Sequence, residues 1–308
     1  MPTKPEIDVN VDVENIDVKP IEDNNNIDEQ EIATEVRDNE SPTVAVVDEN
    51  DITIGDKDSP IIMLFGPRSS GKSMTLVRLS RHLRKCGYTI KVDKTFKSDT
   101  TYKEKCDKFM KDLDTREALS GNAYTDFLLV KVIKGGHTIC QFLEAPGEHY
   151  FDPKDISKEN FPKYMKEIIK PLKNRKIWAF ITEAEWNVKT SVKDAYVNRI
   201  QNCKRHFIKS QDRVVILYNK IDQKDELFDD SHLHVKPAEK AMREEYEGIE
   251  KIFPNPNPIT RLWRPFNYKF VPFCTGYYTL TKNKLEYTES ESMYPELLWS
   301  ALMKCIRG

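Results

Sequence analysis

The pattern of apolar and polar residues changes along the chain. From residue 61 onward, apolar runs such as Ile61–Phe65 and Val214–Tyr218 are typical of strands buried on both faces. Between such runs, residues 191–208 carry apolar side chains at helical spacing. By the same criteria, helices are predicted over 72–86, 102–113, 161–173, 237–252 and 294–307, and strands over 88–97, 126–134, 138–144, 177–181 and 268–274. This alternation predicts a three-layer α/β fold, with a mostly parallel sheet of about six strands and helices on both faces.

The first part of the chain lacks this pattern and contains no aromatic side chain through residue 57. The first 58 positions hold 18 acidic and 4 basic side chains, whereas the rest of the chain holds 32 acidic and 44 basic ones. So acidic a segment cannot bury enough apolar surface to offset the entropy of ordering. Residues 1–57 are therefore predicted to be a disordered tail, and residues 58–308 one domain. Alternating apolar residues over Ile7–Val13 leave a short docking strand as the alternative.

Composition argues against a membrane-spanning protein and against a disulfide-bonded one. No apolar run approaches the roughly 20 residues that a membrane-spanning helix needs. Six cysteines are scattered without a C-x-x-C pair, which is typical of reduced thiols, and a cytoplasmic protein is expected. The basic body either favours an anionic partner, such as RNA or a membrane surface, or only solubilises the domain.

A phosphate-binding motif follows the first apolar run. Residues 66–73 fit G-x-x-x-x-G-K-S between a predicted strand and a predicted helix, the context that this motif requires. Its glycines allow backbone N–H groups to surround a β-phosphate, and the helix N-terminus adds partial positive charge. Lys72 is expected to bridge the β- and γ-phosphates, and the Ser73 hydroxyl to bind Mg²⁺. The predicted nucleotide-binding residues of this loop are Gly66, Pro67, Arg68, Ser69, Ser70, Gly71, Lys72 and Ser73.

A second motif, N-K-x-D, indicates which base is bound. Asn219, Lys220 and Asp222 follow a predicted strand, at the end where an open α/β sheet binds its ligand. The Asp222 carboxylate can accept hydrogen bonds from the ring N–H and the amino group of guanine. Adenine presents an acceptor at the ring position and lacks that amino group, and such a mismatch discriminates by roughly 10⁴-fold. Guanine is therefore predicted, with Asn219 and Lys220 bracing the loops and covering the base.

With these motifs, residues 59–308 resemble Ras-like, translation-factor-related P-loop GTPases. The resemblance implies a Ras-like G domain that binds GTP or GDP with Mg²⁺. Where the family usually has D-x-x-G, this chain has Glu144 and, three residues later, Gly147. The resemblance implies that Gly147 contacts the γ-phosphate. It also implies that Glu144 helps to hold Mg²⁺, although its extra methylene moves the carboxylate.

Three residues are candidates for catalysing hydrolysis. In the family a water-positioning residue follows the switch glycine, and here Glu148 and His149 follow Gly147. A carboxylate beside an anionic nucleotide is repelled, so His149 is the better candidate, unless it is only a surface loop residue. Arg68 either acts as a built-in arginine finger or points to solvent or to a partner. Slow turnover is expected because no glutamine follows Gly147.

Two further segments complete the expected site. The resemblance implies a switch threonine in the magnesium shell, with Thr125 as the first choice and Thr115 as the second. Residues 87–125 are longer than compact family members need, so an enlarged switch I that carries a partner surface is expected. Cys274 and Thr275 follow the last predicted strand, where backbone N–H groups of the family contact the guanine carbonyl.

The sequence therefore predicts a protein that binds GTP and GDP with Mg²⁺ and hydrolyses GTP slowly as a molecular switch. A protein effector or regulator is the expected partner. DNA is not expected, and the basic body gives RNA or the ribosome only weak support. The alternative is a guanine-nucleotide-binding scaffold without hydrolysis, which Glu144 and Glu148 favour.

Overall fold

Strands and helices alternate along the chain broadly as the apolar pattern predicts. The computed structural model describes residues 52–115, 127–157, 160–229, 232–281 and 284–308. The strands are β1 (Ile61–Phe65), β2 (Thr89–Val92), β3 (Leu128–Lys134), β4 (His137–Glu144), β5 (Lys176–Glu183), β6 (Arg213–Asn219), β7 (Phe228–Asp229), β8 (His232–Leu233), β9 (Lys269–Pro272), β10 (Gly276–Thr281) and β11 (Lys284–Glu289). The α-helices are α1 (Lys72–Lys85), α2 (Thr100–Asp112), α3 (Gly147–Tyr150), α4 (Thr190–Phe207), α5 (Val235–Glu245), α6 (Pro258–Arg261) and α7 (Met293–Arg307).

Seven strands of the described residues form one sheet, in the order β2-β3-β4-β1-β5-β6-β9. Neighbours from β4 to β9 are parallel, whereas β2 and β3 are antiparallel to their neighbours. Gly135 and Gly136 turn β3 into β4 with φ values of 56° and 81°, which glycine adopts without steric cost. The predicted mostly parallel sheet is confirmed with seven strands rather than about six, and the short edge strand β2 lies within the extra strand predicted over 88–97.

Both faces of the sheet are covered at its centre. All five residues of β1 and all eight of β5 are buried, although successive side chains of a strand point to opposite faces. This burial confirms the predicted three-layer arrangement. No helix in the described ranges is long and apolar enough to span a membrane.

Two segments differ from the predicted elements. The helix predicted over 161–173 is confirmed in part, because residues 163–169 are helical and Met165–Ile169 form a turn of the π type. Pro171 follows it, and a proline lacks the N–H that continues a helical ladder. The β10–β11 hairpin has no counterpart among the predicted elements, because polar residues interrupt its apolar alternation.

Residues 52–57, which composition assigns to the acidic tail, pack on the domain. Ile52 and Ile54 are only 7% and 4% exposed and belong to the hydrophobic core. The domain therefore begins earlier than predicted, because two isoleucines bury apolar surface inside a segment that is polar on average. The remainder of the predicted tail, residues 1–51, lies outside the described residues.

Parallel strands all end on the same side of a sheet. The side where β1, β4, β5 and β6 end is called the carboxyl edge here. At this edge, β1 leads into the phosphate loop, and β4 ends at Glu144. Next to them, β5 ends at Glu183 and β6 at Asn219. The predicted phosphate, metal and base motifs therefore converge at the carboxyl edge, although they are far apart in the sequence.

Candidate nucleotide-binding site

The phosphate loop connects β1 to α1 as a tight turn. Ser69 and Gly71 adopt positive φ values of 63° and 85°, which curl the loop back on itself. A Cβ at position 71 would lie 2.3 Å from the side-chain nitrogen of Asn219, so only glycine fits there. The Ser70 hydroxyl donates to the carbonyl oxygen of Pro67 over 2.9 Å, which closes the turn. The motif thus has the compact form that a phosphate-binding loop needs.

The Lys72 ammonium group is held inside this loop. It donates to the carbonyl oxygens of Gly66 and Pro67 over 3.0 and 2.7 Å, and the residue is 7% exposed. Burial lowers the pKa of Lys72 to about 8, against the opposing effect of three nearby glutamates. A phosphate group bound here would add negative charge and thereby favour the protonated lysine.

Ser73 and Glu144 meet at the start of α1. The Ser73 hydroxyl donates to Glu144 Oε1, whereas Oε2 is buried and has no hydrogen-bond partner among the described residues. Burial raises the pKa of Glu144 to about 7, opposed by the hydrogen bond from Ser73 and the charge of Lys72. A hydroxyl beside a carboxylate with an unpartnered oxygen offers the hard oxygen ligands that Mg²⁺ prefers. The residues present therefore fit the predicted metal.

Gly147 packs directly against the phosphate loop. A Cβ at this position would lie 2.4 Å from the backbone nitrogen of Arg68 and 2.6 Å from the carbonyl carbon of Pro67. Backbone atoms cannot yield as a flexible side chain can, so this close approach requires glycine. The segment after β4 is thereby placed against the loop that precedes α1.

The base motif is bonded to the phosphate loop. The Asn219 side chain, which is 1% exposed, donates to the carbonyl oxygen of Ser70 over 2.9 Å. Lys220 adopts a φ of 58°, and its ammonium group forms an ion pair with Glu183. No sequence motif marks Glu183, because the β5–β6 register alone aligns it with Asn219. Asn219 and Lys220 are thus held at the carboxyl edge by contacts to two neighbouring segments.

Asp222 faces the loop that follows β9. The Cys274 thiol of that loop lies beside its carboxylate, while the thiol itself donates to the carbonyl oxygen of Gly276 over 4.0 Å. Burial raises the pKa of Asp222, while the nearby thiol and the charge of Lys220 oppose the rise. The Thr275 methyl group would lie 3.9 Å from a Cβ at position 71. The loop predicted to contact the base therefore lies next to both motifs.

The positions of these loops define the fold. The phosphate loop follows the central strand β1, and N-K-x-D follows β6, two strands away in the same parallel sheet. The fold is Ras-like. The resemblance seen in the sequence is confirmed at the level of the fold.

No protein-family model and no curated protein sequence matches the chain. Among solved structures, it is similar to nucleolar GTP-binding protein 1 from Plasmodium falciparum, at 14% identity, covering 83% of this chain and 90% of that chain with a TM-score of 0.40. It is also similar to the signal recognition particle receptor in its GTP complex from Chaetomium thermophilum, at 12% identity, covering 71% of this chain and 92% of that chain with a TM-score of 0.35. Both likenesses are remote, so the function is inferred from the side chains of this Ras-like domain.

The β10–β11 hairpin joins the base loop to the helix of the phosphate loop. Ser290, just after the hairpin, donates from its hydroxyl to the carbonyl oxygen of Cys274 over 2.7 Å. Arg78 on α1 donates to the carbonyl oxygen of Ser290 over 2.6 Å. Within the hairpin, the Tyr287 hydroxyl donates to the carbonyl oxygen of Thr275 over 2.6 Å. These positioning residues carry no sequence signal, because they act through contacts between distant parts of the chain.

The three predicted catalytic residues have different surroundings. The His149 ring lies 5.7 Å from the ring of Phe127 and 5.8 Å from that of Tyr164, between centroids, within an aromatic cluster. Glu148 is half-buried beside it in the short helix α3, and Arg68 is exposed. His149 is thus packed among aromatic rings rather than being an exposed loop residue.

One of the two candidate switch threonines, Thr115, lies among the described residues. Thr125 lies outside the described residues. Thr115 follows α2, and its carbonyl oxygen accepts a hydrogen bond from the Arg81 guanidinium on α1. The Thr115 hydroxyl lies 3.5 Å from the carbonyl oxygen of Asp112, at the end of the same helix. These contacts hold Thr115 at the end of α2, and the choice between the two threonines stays open.

Proposed function

We propose that this protein binds GTP and GDP with Mg²⁺ at the carboxyl edge of its sheet and hydrolyses GTP slowly as a molecular switch. The observation that carries the proposal is the hydrogen bond of 2.9 Å from Asn219 to Ser70. It joins a guanine-type base motif to a phosphate-binding motif across 149 positions of sequence. A surface that combines these two motifs has the parts needed to hold both ends of a guanine nucleotide.

Base selectivity is assigned to the Asp222 carboxylate. It accepts from the guanine ring N–H and amino group, while the backbone of Cys274 and Thr275 supplies N–H groups to the guanine carbonyl. The Cys274 thiol and the charge of Lys220 already lie beside Asp222 and favour its ionised form, which is the form that accepts from guanine. Such preorganisation lowers the cost that binding must offset.

Phosphate binding is assigned to the loop of residues 66–73. Lys72 exchanges its contacts with loop carbonyls for β- and γ-phosphate oxygens, and backbone N–H groups at the start of α1 contact the β-phosphate. Ser73 and Glu144 would hold the magnesium ion, directly or through water. When bound, Mg²⁺ neutralises charge on the β- and γ-phosphates. Gly147 contributes its N–H to the γ-phosphate, and the absence of a side chain leaves that approach open.

Hydrolysis is assigned to His149, which orients the attacking water, with Arg68 contacting the γ-phosphate and Glu148 in a lesser role. Reorienting the imidazole would cost its contacts with Phe127 and Tyr164. That cost supports a slow reaction. The same packing supports the second candidate function, a guanine-nucleotide-binding scaffold that does not hydrolyse GTP.

A protein effector or regulator is proposed to read the nucleotide state in the cytoplasm. Its surface is assigned to the enlarged region 87–125, of which the structure describes β2 and α2. Arg81 joins α1 to the end of α2, so a change at the phosphate loop has a physical route to this surface. No role in binding DNA is proposed.

A direct titration tests the binding proposal. GDP, GTP, ADP and ATP are titrated into the full-length protein by calorimetry, with Mg²⁺ and then with EDTA. Guanine nucleotides are expected to bind and adenine nucleotides not, with weaker binding in EDTA. Equal affinities for GDP and ADP would overturn the guanine assignment. Phosphate release in single-turnover reactions then separates the slow switch from the scaffold, for which no release is expected.

A further inference from the structure

An exposed apolar cluster lies far from the candidate nucleotide site. Ile259, Leu262 and Trp263, here called the apolar apex, are 73%, 81% and 84% exposed. Single exposed apolar residues are ordinary, but three large ones within five positions of sequence form a patch of the kind that marks an interaction surface. Trp263 is the most exposed of the four tryptophans of the chain.

The loop that carries the apex is internally bonded. The Asn257 side chain caps the short helix α6 by accepting from the N–H groups of Ile259 and Thr260 over 2.9 and 3.2 Å. Below it, the Asn255 N–H donates to the carbonyl oxygen of Pro265 over 2.9 Å and closes the base of the loop. The apex is thus presented by an ordered loop, so little conformational entropy is lost when a partner covers it.

The segment that carries the apex has basic residues and no acidic ones. From Lys251 to Leu285 the sequence contains no Asp or Glu, although 50 of the 308 residues are acidic. Arg264 and Lys304 lie close enough to Lys269 to add to the lowering of its pKa by burial. An apolar patch beside clustered cations is complementary to an anionic surface that also has an apolar interior.

The apex lies on the side of the sheet where the parallel strands begin. The candidate nucleotide site lies on the opposite side, where they end. The loop of the apex leads into β9, which runs parallel to β6 and therefore begins at the same end of the sheet as β6, β5 and β1. The end of α7 is there as well, because Arg175 at the start of β5 donates to the carbonyl oxygen of Ile306. A partner docked on the apex would therefore leave the phosphate and base motifs accessible.

We propose that the apolar apex docks on an anionic membrane surface, with Leu262 and Trp263 in the lipid interface and Arg264, Lys269 and Lys304 against the headgroups. A membrane is favoured over a peptide because the apex projects outward, whereas a peptide-binding site is a groove or a sheet edge. Tryptophan is suited to the interface since its ring is apolar and its N–H is polar.

Vesicle flotation of the full-length protein tests this assignment. Co-flotation is expected with vesicles of phosphatidylcholine mixed with phosphatidylserine, falling as salt is raised, and not with phosphatidylcholine alone. The emission should shift to the blue and the shift should be lost with Trp263, because Trp178 and Trp299 are already buried and Trp186 packs among aromatic rings. Leu262→Ser with Trp263→Ser should weaken vesicle affinity about tenfold or more, while the matched change at another exposed aliphatic residue, Ile156→Ser, should not.

Reversing the charge of two basic residues tests the contacts with lipid headgroups separately from the insertion of Leu262 and Trp263. Arg264→Glu with Lys304→Glu should abolish the dependence on phosphatidylserine. Melting temperatures equal to the parent would show that these variants are folded. Absence of flotation at low salt, or equal flotation of parent and apex variants, would overturn the proposal. Shielding of Trp263 at high protein concentration without vesicles would overturn it in favour of a second copy of the chain. Tighter association with an RNA oligonucleotide than with vesicles would overturn it in favour of a nucleic acid.

Discussion

The side-chain amide of Asn219 donates a hydrogen bond of 2.9 Å to the carbonyl oxygen of Ser70. Asn219 ends β6, whereas Ser70 lies in the loop between β1 and α1. The contact therefore links the ends of two strands that are separated by β5. Because Asn219 is 1% exposed, water does not compete freely for the bond. The geometry of the phosphate loop therefore depends on a residue of the base motif.

Replacing Asn219 by alanine should weaken GDP binding by roughly 5- to 150-fold, because an unsatisfied buried carbonyl costs about 1–3 kcal/mol. Calorimetric titration of GDP in the presence of Mg²⁺ measures the effect. The control is Asn198→Ala, which removes the same amide from an exposed position on α4. GDP affinity equal to that of the parent in Asn219→Ala would show that the bond does not organise the loop.

Guanine affinity should decline in mildly acidic solution, because burial raises the pKa of Asp222. A raised pKa means that the ligand-free carboxyl takes up a proton at a higher pH than an exposed aspartate, and a protonated carboxyl cannot accept both guanine hydrogen bonds. GDP affinity should thus fall as the pH drops through the raised pKa. Pyrophosphate, which has no base, is titrated over the same range as the control. Parallel declines for the two ligands would exclude Asp222 as the cause.

Loss of Ser73 or Glu144 should remove the dependence of nucleotide binding on Mg²⁺. In the parent, EDTA should weaken GDP affinity, whereas in Ser73→Ala and Glu144→Ala the affinities with Mg²⁺ and with EDTA should converge. The reason is that each change removes one of the two adjoining oxygen groups that are proposed to bind Mg²⁺. Ser80→Ala, on the same helix but buried away from the loop, serves as the control. If Glu144→Ala keeps the full response to EDTA, the carboxylate does not take part in metal binding.

GTP turnover should be well below about 1 s⁻¹, the lower end of the usual range for kinases. His149→Ala should lower phosphate release in single-turnover reactions more than Glu148→Ala, with GTP affinity retained in both. His206→Ala, an exposed histidine on α4, controls for loss of an imidazole. Arg68→Ala should reduce turnover if Arg68 contacts the γ-phosphate, and an unchanged rate would exclude that contact. Release by His149→Ala at the parental rate would remove His149 from the mechanism.

Truncation should locate the start of the domain. Deleting residues 1–51 should leave the melting temperature unchanged, whereas deleting residues 1–57 should lower it by several degrees. The difference arises because Ile52 and Ile54 are buried, and each buried isoleucine contributes about 1.5–3 kcal/mol. Thermal unfolding with and without GDP gives the measurement, and the double variant Ile52→Ala, Ile54→Ala in the full chain is the control. Equal melting of the two truncated proteins would mean that this segment does not stabilise the domain.

The α/β fold was predictable because its signals are local. The apolar runs of β1 and β6, and the helical spacing in α1 and α4, are properties of neighbouring residues. The hairpin of β10 and β11 was not predictable in the same way, since its place depends on Arg78 and Ser290, which are 212 positions apart. The helix predicted over 161–173 is shorter than predicted because apolar spacing takes no account of Pro171.

By itself, the sequence determined the phosphate loop, the N-K-x-D motif and the fold class, because short-range chemistry specifies each of them. Glycine at position 71 permits a positive φ, and the lysine beside it is the residue proposed to supply a charge for phosphate. Only the tertiary structure decided which residues hold these motifs in place. Glu183 reaches Lys220 through the register of β5 and β6, and Ser290 reaches Cys274 because the hairpin folds back on the sheet edge. Such contacts depend on how distant segments pack, and no local pattern of residues encodes that packing.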